Sequence, residues 1–155
     1  MASIKEPRWL TREQVEAIHE AQLALHGGLQ GLRDAGALES ALGRPRHKWH
    51  YRETTAIREL AAAYGFAVAK NHAFNDGNKR TAFVAMAVFF EWNGWSLTAP
   101  EVDVVTTMLG VADGSIGEAA LANWLRANGV APRARRPAKA KAAPRAKAGA
   151  KAKRR

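Results

Sequence analysis

His72-Ala73-Phe74-Asn75-Asp76-Gly77-Asn78-Lys79-Arg80 places an imidazole, a carboxylate, a Gly-Asn turn and two cations within nine residues. Strongly apolar stretches stand on either side, Ala61–Ala69 before it and Ala82–Phe90 after it. In residues 81–92, ten of the twelve side chains are apolar, Ala82 to Phe90 and Trp92, and no face is polar. A helix that is apolar all round belongs in the middle of a domain. The nine residues therefore join the ends of two buried helices, and their backbone is held by that packing although their side chains are polar. A polar loop on rigid supports is what catalytic geometry requires.

Working outward, the chain reads as helix almost throughout. Thr11-Arg12-Glu13-Gln14 is a capping box that opens a helix carrying Val15, Ile18, Leu23 and Leu25 and stopping at Gly27-Gly28. A glycine-rich connection leads to a short helix near Ala37–Leu42, which Pro45 is expected to close. Thr54 or Thr55 is placed to cap a helix over roughly 55–69, and Asn78 to cap one that runs to Trp92 and ends at Asn93-Gly94. Thr98-Ala99-Pro100-Glu101 and Ser115-Ile116-Gly117-Glu118 read as two more capping boxes, for helices ending near Gly110 and Gly129. No segment alternates convincingly with period two, so strand content should be minor, at most a small hairpin around 44–52. The expected fold is all-α, a compact helical bundle over residues 1–130.

Charge separates that body from the last 25 residues. Residues 131–155 hold 11 of the 24 Lys and Arg and none of the 14 Asp and Glu, so the +10 net charge resides there and the body is near −1. Alanine, lysine and arginine alternate there with Pro132, Pro137 and Pro144, and nothing can bury apolar area against the entropy cost of folding. The segment reads as a disordered basic tail. Eleven cations could give non-specific nucleic-acid affinity, at about one unit of log–log salt slope per phosphate neutralised. Contact with ribosomes, or a merely solubilising extension, are the alternatives. The sequence has no cysteine, which excludes disulfides and thiolate metal sites. Lys5, Glu6 and Arg8 near the start leave no room for a secretory h-region. The longest apolar run, Ala82–Phe90, is half the length of a membrane span, so a soluble cytoplasmic protein without membrane contact is expected.

The nine residues have a coherent chemistry. A neutral imidazole at His72 is the candidate general base for an attacking hydroxyl. Asp76 is a natural Mg²⁺ ligand, since Mg²⁺ in nucleotide sites is held by one or two carboxylates plus phosphate oxygens. Gly77-Asn78 at a helix start offers unpaired N–H groups and a positive dipole end to an anion. Lys79 and Arg80 put cations where that dipole disfavours them, which phosphates would explain. Phe74 should turn inward as an anchor. Each residue alone has a plainer reading: a histidine beside a helix end is usually a cap, Asp-Gly and Asn-Gly mark turns, and Lys-Arg is solvated surface. The ordered string between two buried helices is what favours function.

That string resembles the Fic-domain superfamily, whose signature runs His-x-Phe-x-(Asp/Glu)-Gly-Asn-Gly-Arg. Lys79 in the eighth position is the form of the Doc (death-on-curing) branch. Gly27-Gly28-Leu29-Gln30-Gly31-Leu32-Arg33-Asp34, Leu38-Glu39-Ser40-Ala41-Leu42 and Ala61-Ala62-Ala63-Tyr64 through Thr81-Ala82 are similar to that branch in the same order and spacing. The resemblance implies a toxin that uses ATP and Mg²⁺ to phosphorylate a threonine of elongation factor Tu, stopping translation, and that is silenced by an antitoxin partner. It implies His72 as base, Asp76 as metal ligand, and Gly77, Asn78, Lys79 and Arg80 around the phosphates. Lys70, where the family often has a basic residue, is a further phosphate candidate. Most of the superfamily instead moves AMP onto Ser, Thr or Tyr, and that alternative stays open, as does a non-enzymatic nucleic-acid-binding or corepressor subunit. Lysine in place of glycine at position 79 fills space that a pyrophosphate would use, which favours the kinase. The tail 131–155 has no counterpart in the resemblance.

Other signals are weaker. Trp9, Trp49 and Trp95 either pack in the core or line a groove for the partner. Arg44–Arg52 is basic and aromatic and is either a docking surface for the target or a solvated hairpin. His47 and His50 have zinc-ligand spacing but no third ligand nearby, and His19 and His26 lie on the first helix.

Overall fold

The computed structural model describes residues 4–131, and its axis is α3 (Ile57–Asn71), with nine buried residues from Leu60 to Ala69. Around it pack α2 (Ala35–His50), α4 (Asn78–Trp92), α5 (Glu101–Asp113) and α6 (Glu118–Asn128), while α1 (Arg12–His26) lies against α4 and the start of α2. The core runs through Leu10, Val15, Leu38, Tyr64, Phe89, Phe90 and Leu125, each 1% exposed or less. No helix among the described residues is long and apolar enough to cross a membrane. The fold is the all-α bundle expected. The basic tail lies, apart from Ala131, outside the described residues.

Helix α1 begins and ends as the sequence implies, with both capping-box bonds of Thr11 and Gln14 made and Gly27 taking the C-cap. Its neighbour α2 departs from expectation. It starts at the Asp34 cap, passes through Pro45 and continues to His50, so the predicted stop and the predicted hairpin over 44–52 are both wrong. Pro45 removes one helical hydrogen bond, a local cost of about 3 kcal/mol. Burial outweighs it. Leu38, Ala41, Leu42, Pro45 and Trp49 form one stripe at helical spacing, and all are buried on the bundle. The basic last turn, His47, Lys48 and His50, complements the helix dipole.

Two predicted capping boxes are also absent. α5 starts at the Pro100 cap and α6 at the Gly117 cap, neither with a side-chain bond. The hydroxyls are used elsewhere: Thr98 donates to the Asn128 carbonyl at 2.8 Å, and Ser115 to the Gly110 carbonyl at 3.4 Å. Thr98 follows β1 (Ser96–Leu97), which pairs antiparallel with β2 (Gly129–Val130), and this pair ties the residues after α6 back to α4. Gly110 does not end α5, which runs on to Asp113. A Cβ on Gly110 would lie 2.6 Å from Ile116 Cδ1, so the glycine is a notch for packing. The cap of α3 is Ala56 without a side-chain bond; Thr54 accepts from the Ala56 N–H at 3.1 Å instead.

Of the tryptophans singled out above, Trp49 belongs to the core, and Trp9 and Trp95, half-buried, pack against it. Trp49 is 8% exposed, Trp9 stacks on Phe89 at 5.7 Å, and Trp95 stacks on Phe90 at 5.4 Å. The uncovered apolar surface is elsewhere. Helix α4 buries Ala82, Ala85, Met86, Phe89 and Phe90, while Phe83, Val84 and Val88 on its other side are half-buried. That side forms one wall of a groove of about 650 Å³ with α5, whose Val105 and Leu109 are more than half exposed.

Candidate active site

The nine-residue motif becomes a loop between α3 and α4, held on both flanks. α3 ends at His72 in the left-handed region, φ 50° and ψ 47°, which costs a non-glycine residue about 1–2 kcal/mol. Contacts with segment 27–34 hold it there. Arg33 donates through Nη2 to the His72 carbonyl at 2.7 Å, and the Arg33 and Asp34 N–H groups converge on the Ala73 carbonyl at 2.7 and 3.0 Å. Leu32 bridges Phe74 antiparallel, and the Asn75 N–H donates to the Gly31 carbonyl at 3.0 Å. Asn78 closes the loop on itself: its Oδ1 accepts from the Phe74 N–H at 3.1 Å and its Nδ2 donates to the Phe74 carbonyl at 2.9 Å. Phe74 turns inward, 2% exposed.

Asp76 is the most heavily bonded residue of the loop. Its Oδ2 accepts from the Leu29 N–H at 3.1 Å and its Oδ1 from the Gly77 N–H at 2.8 Å. Those two backbone donors, with the charges of Arg80 and Lys79 adding to them, hold its carboxyl below the ordinary aspartate pKa. It is therefore an ionised, acceptor-only group, chemically suited to a hard cation. Close approach of segment 27–34 depends on glycine: a Cβ on Gly28 (φ +129°) would lie 2.7 Å from Asp76 Oδ2. One on Gly31 (φ +116°) would lie 2.6 Å from Asn75 Nδ2.

The outer face of the loop is different. His72 is exposed and its ring has no hydrogen-bond partner among the described residues. Lys79 is exposed, and Arg80, half-buried, donates to the Gly27 carbonyl at 3.3 Å. Gly77, at φ 76°, is the N-cap of α4, and the first N–H bonded within that turn is that of Thr81. Among the described residues the N–H groups of Asn78, Lys79 and Arg80 have no acceptor. A helix start with free donors, flanked by two cations, has the chemistry to receive an anion. Lys70 projects differently: its Nζ lies 3.5 Å from the Ala112 carbonyl, at the C-terminal end of α5.

Among the described residues there is no cluster of three or more His, Asp or Glu able to cage a metal ion. A lone ionised carboxylate beside free backbone donors fits Mg²⁺, which takes one or two carboxylates and completes its shell with phosphate oxygens and water.

Several residues of the site escaped sequence reasoning. Leu29 and Arg33 act on the loop from segment 27–34, and Gly28 and Gly31 permit its approach. His19, read as a weak signal, bonds the Asp76 carbonyl at 2.8 Å from below. Segment 27–34 reads in the sequence as a glycine-rich connection and as part of the resemblance, and neither reading shows that its backbone braces the loop.

Fold and motif loop together define a class, and residues 9–90 match the model of the Fic/DOC family. The chain belongs to the Fic/Doc family, in its Doc branch. It is 37% identical over 120 residues to the protein kinase doc of Escherichia phage P1, a match covering 77% of this chain and 94% of that protein. It is also 37% identical over 92 residues to the toxin Doc of Mycolicibacterium smegmatis, covering 59% of this chain and 68% of that one.

Proposed function

We propose that this protein is a Doc-type toxin that transfers the γ-phosphoryl group of ATP to a threonine hydroxyl of elongation factor Tu in the cytoplasm, so halting translation. In this reading His72, exposed and unpartnered, takes the proton of the attacking hydroxyl. The new O–P bond forms as the bond between the β,γ-bridging oxygen and the γ-phosphorus breaks, and ADP leaves with the electron pair. The free N–H groups of Asn78, Lys79 and Arg80 and the α4 dipole hold the phosphates, with the Lys79 and Arg80 side chains balancing their charge. Asp76 would hold Mg²⁺, which supplies neutralisation of the phosphate charge. The observation that carries the kinase reading is Lys79, an exposed cation beside those free donors where much of the wider family has glycine. The name of the phage P1 relative supports the same choice.

ATP labelled separately at the α and γ positions, with Mg²⁺ and a bacterial lysate, tests it. Label from γ on a translation factor is expected. Label from α means AMP transfer, and no label leaves a phosphate-binding or corepressor subunit.

The name of the Mycolicibacterium smegmatis relative, a toxin, supports a toxin's role here, and with it an antitoxin as the expected partner. The apolar groove between α4 and α5, which reaches Lys79 and Arg80, is the surface suited to an apolar antitoxin segment. For the tail, removal of residues 131–155 should abolish salt-dependent DNA binding; unchanged affinity would exclude a nucleic-acid role.

A further inference from the structure

His19 occupies a position that α1 otherwise fills with aliphatic side chains. Val15, His19 and Leu23 follow one another at intervals of four and are the buried residues of that helix. His19 is only 4% exposed. A polar ring so placed carries a desolvation cost unless it is hydrogen-bonded. Its bond runs into the motif loop, from Nε2 to the Asp76 carbonyl at 2.8 Å. A carbonyl only accepts, so the ring proton on that side sits on Nε2. The same ring lies flat on Phe74, with centroids 3.8 Å apart and planes at 11°. Both inward-facing parts of the loop thus rest on one side chain.

The consequence concerns a single peptide plane. The Asp76 carbonyl and the Gly77 N–H belong to the same trans peptide, and in a trans peptide they point in opposite directions. Holding the carbonyl on His19 turns the Gly77 N–H the opposite way, where it meets Asp76 Oδ1 at 2.8 Å. Gly77, at φ 76°, has no side chain to resist rotation of that plane. Nothing else among the described residues bonds the Asp76 carbonyl.

The geometry points to His19 as a positioning residue that locks the Asp76–Gly77 peptide, and with it the aim of the metal-binding carboxylate and the first amides of α4. The catalytic part of this inference rests on the phosphoryl-transfer reading above; the conformational part does not. The comparison of His19→Phe with His19→Gln in the full chain separates donor from bulk. Phenylalanine keeps the stack on Phe74 and loses the donor, whereas glutamine keeps a donor and loses the stack.

With His19→Phe we expect phosphoryl transfer to fall about 10- to 100-fold, with more Mg²⁺ needed for half-maximal rate, as for other partners of metal ligands. The Gly77 amide should exchange faster and shift in the ¹⁵N spectrum, while α3 amides stay as they were. His19→Gln should restore most of the rate and the Gly77 signal. Equal losses in both variants, tracking their melting temperatures, would reduce His19 to packing and overturn the proposal. So would an unaltered Gly77 amide in His19→Phe. If the wild-type chain transfers no phosphate, the kinase reading falls while the Gly77 amide still decides the role of His19. Should His19→Phe not fold, the ¹⁵N shifts of the wild-type ring decide: a proton on Nδ1 with a bare Nε2 rules the lock out.

Discussion

The inner and outer faces of loop 72–80 differ in how their polar groups are satisfied. On the inner face the carbonyls of His72, Ala73, Phe74 and Asp76 all have donors, from Arg33, Asp34, Asn78 and His19. On the outer face the His72 ring has no partner and the N–H groups of Asn78 to Arg80 have no acceptor among the described residues. Fully paired polar groups rigidify a segment, and unpaired ones at the same site are where a ligand completes the set. The inner face holds the geometry and the outer face uses it.

That contrast is easiest to break from outside. His72→Ala should lower phosphoryl transfer by about 10² to 10⁴, the range for loss of a general base, and leave the melting temperature nearly unchanged. Parallel turnover and thermal unfolding measurements check both halves; unchanged transfer would remove His72 from the chemistry. Lys79→Gly comes next. Losing one charge-assisted phosphate contact should cost about 10- to 100-fold in γ-transfer. The space opened should let label from the α position appear on the target. If γ-transfer stays at the wild-type level, Lys79 does not choose the pose of the nucleotide.

The inner face is broken through Gly28. Gly28→Ala forces a Cβ to 2.7 Å from Asp76 Oδ2 in a backbone at φ +129°. About 2 kcal/mol of strain is expected, a drop of about 4–8 °C in Tm for a chain of this size. Unlike His72→Ala, this change should weaken stability and Mg²⁺ dependence together. A stable variant with normal Mg²⁺ dependence would mean that segment 27–34 does not brace Asp76.

The same contrast explains what was legible in the sequence. The outer-face residues, His72 and Asn78 to Arg80, lie within one nine-residue string whose imidazole, Gly-Asn helix start and two cations are visible in the sequence, so the motif could be read directly. The bracing of the inner face comes largely through backbone N–H and carbonyl groups of residues some 40 positions away. Side-chain identity does not mark such pairing, except where a glycine is forced, as at Gly28 and Gly31. The fold divides similarly. α1 was legible in its capping box, and α3 and α4 in their apolar content, although their expected caps, Thr54 or Thr55 and Asn78, give way to Ala56 and Gly77 without side-chain bonds. α2 was not, because the local veto of Pro45 loses to the burial of Trp49, which only the tertiary structure supplies. Thr98 and Ser115 looked like caps because a capping pattern cannot show that a hydroxyl has found another carbonyl.

The smallest effect tests the electrostatics of the inner face. The Leu29 and Gly77 donors, ahead of the nearby Arg80 and Lys79 charges, lower the Asp76 pKa in the folded chain. In the unfolded chain the group titrates near the ordinary value of about 3.9. A carboxyl depressed by folding contributes stability that is fully present above the unfolded pKa and is lost as pH falls through the folded one. In metal-free protein, the Tm difference between wild type and Asp76→Asn should therefore be flat from pH 8 to about 5 and shrink below about 4. The ¹³C carboxyl resonance of Asp76 should titrate below 3.9, as should that of Asp113, whose Oδ1 accepts from the Ser115 N–H at 2.8 Å. In the His19→Phe variant the Asp76 midpoint should move up toward the ordinary value while that of Asp113 stays in place. A midpoint for Asp76 at or above 3.9 in the wild type would mean that the two amide donors do not hold the carboxylate in solution, and the separation of the two faces would lose its inner half.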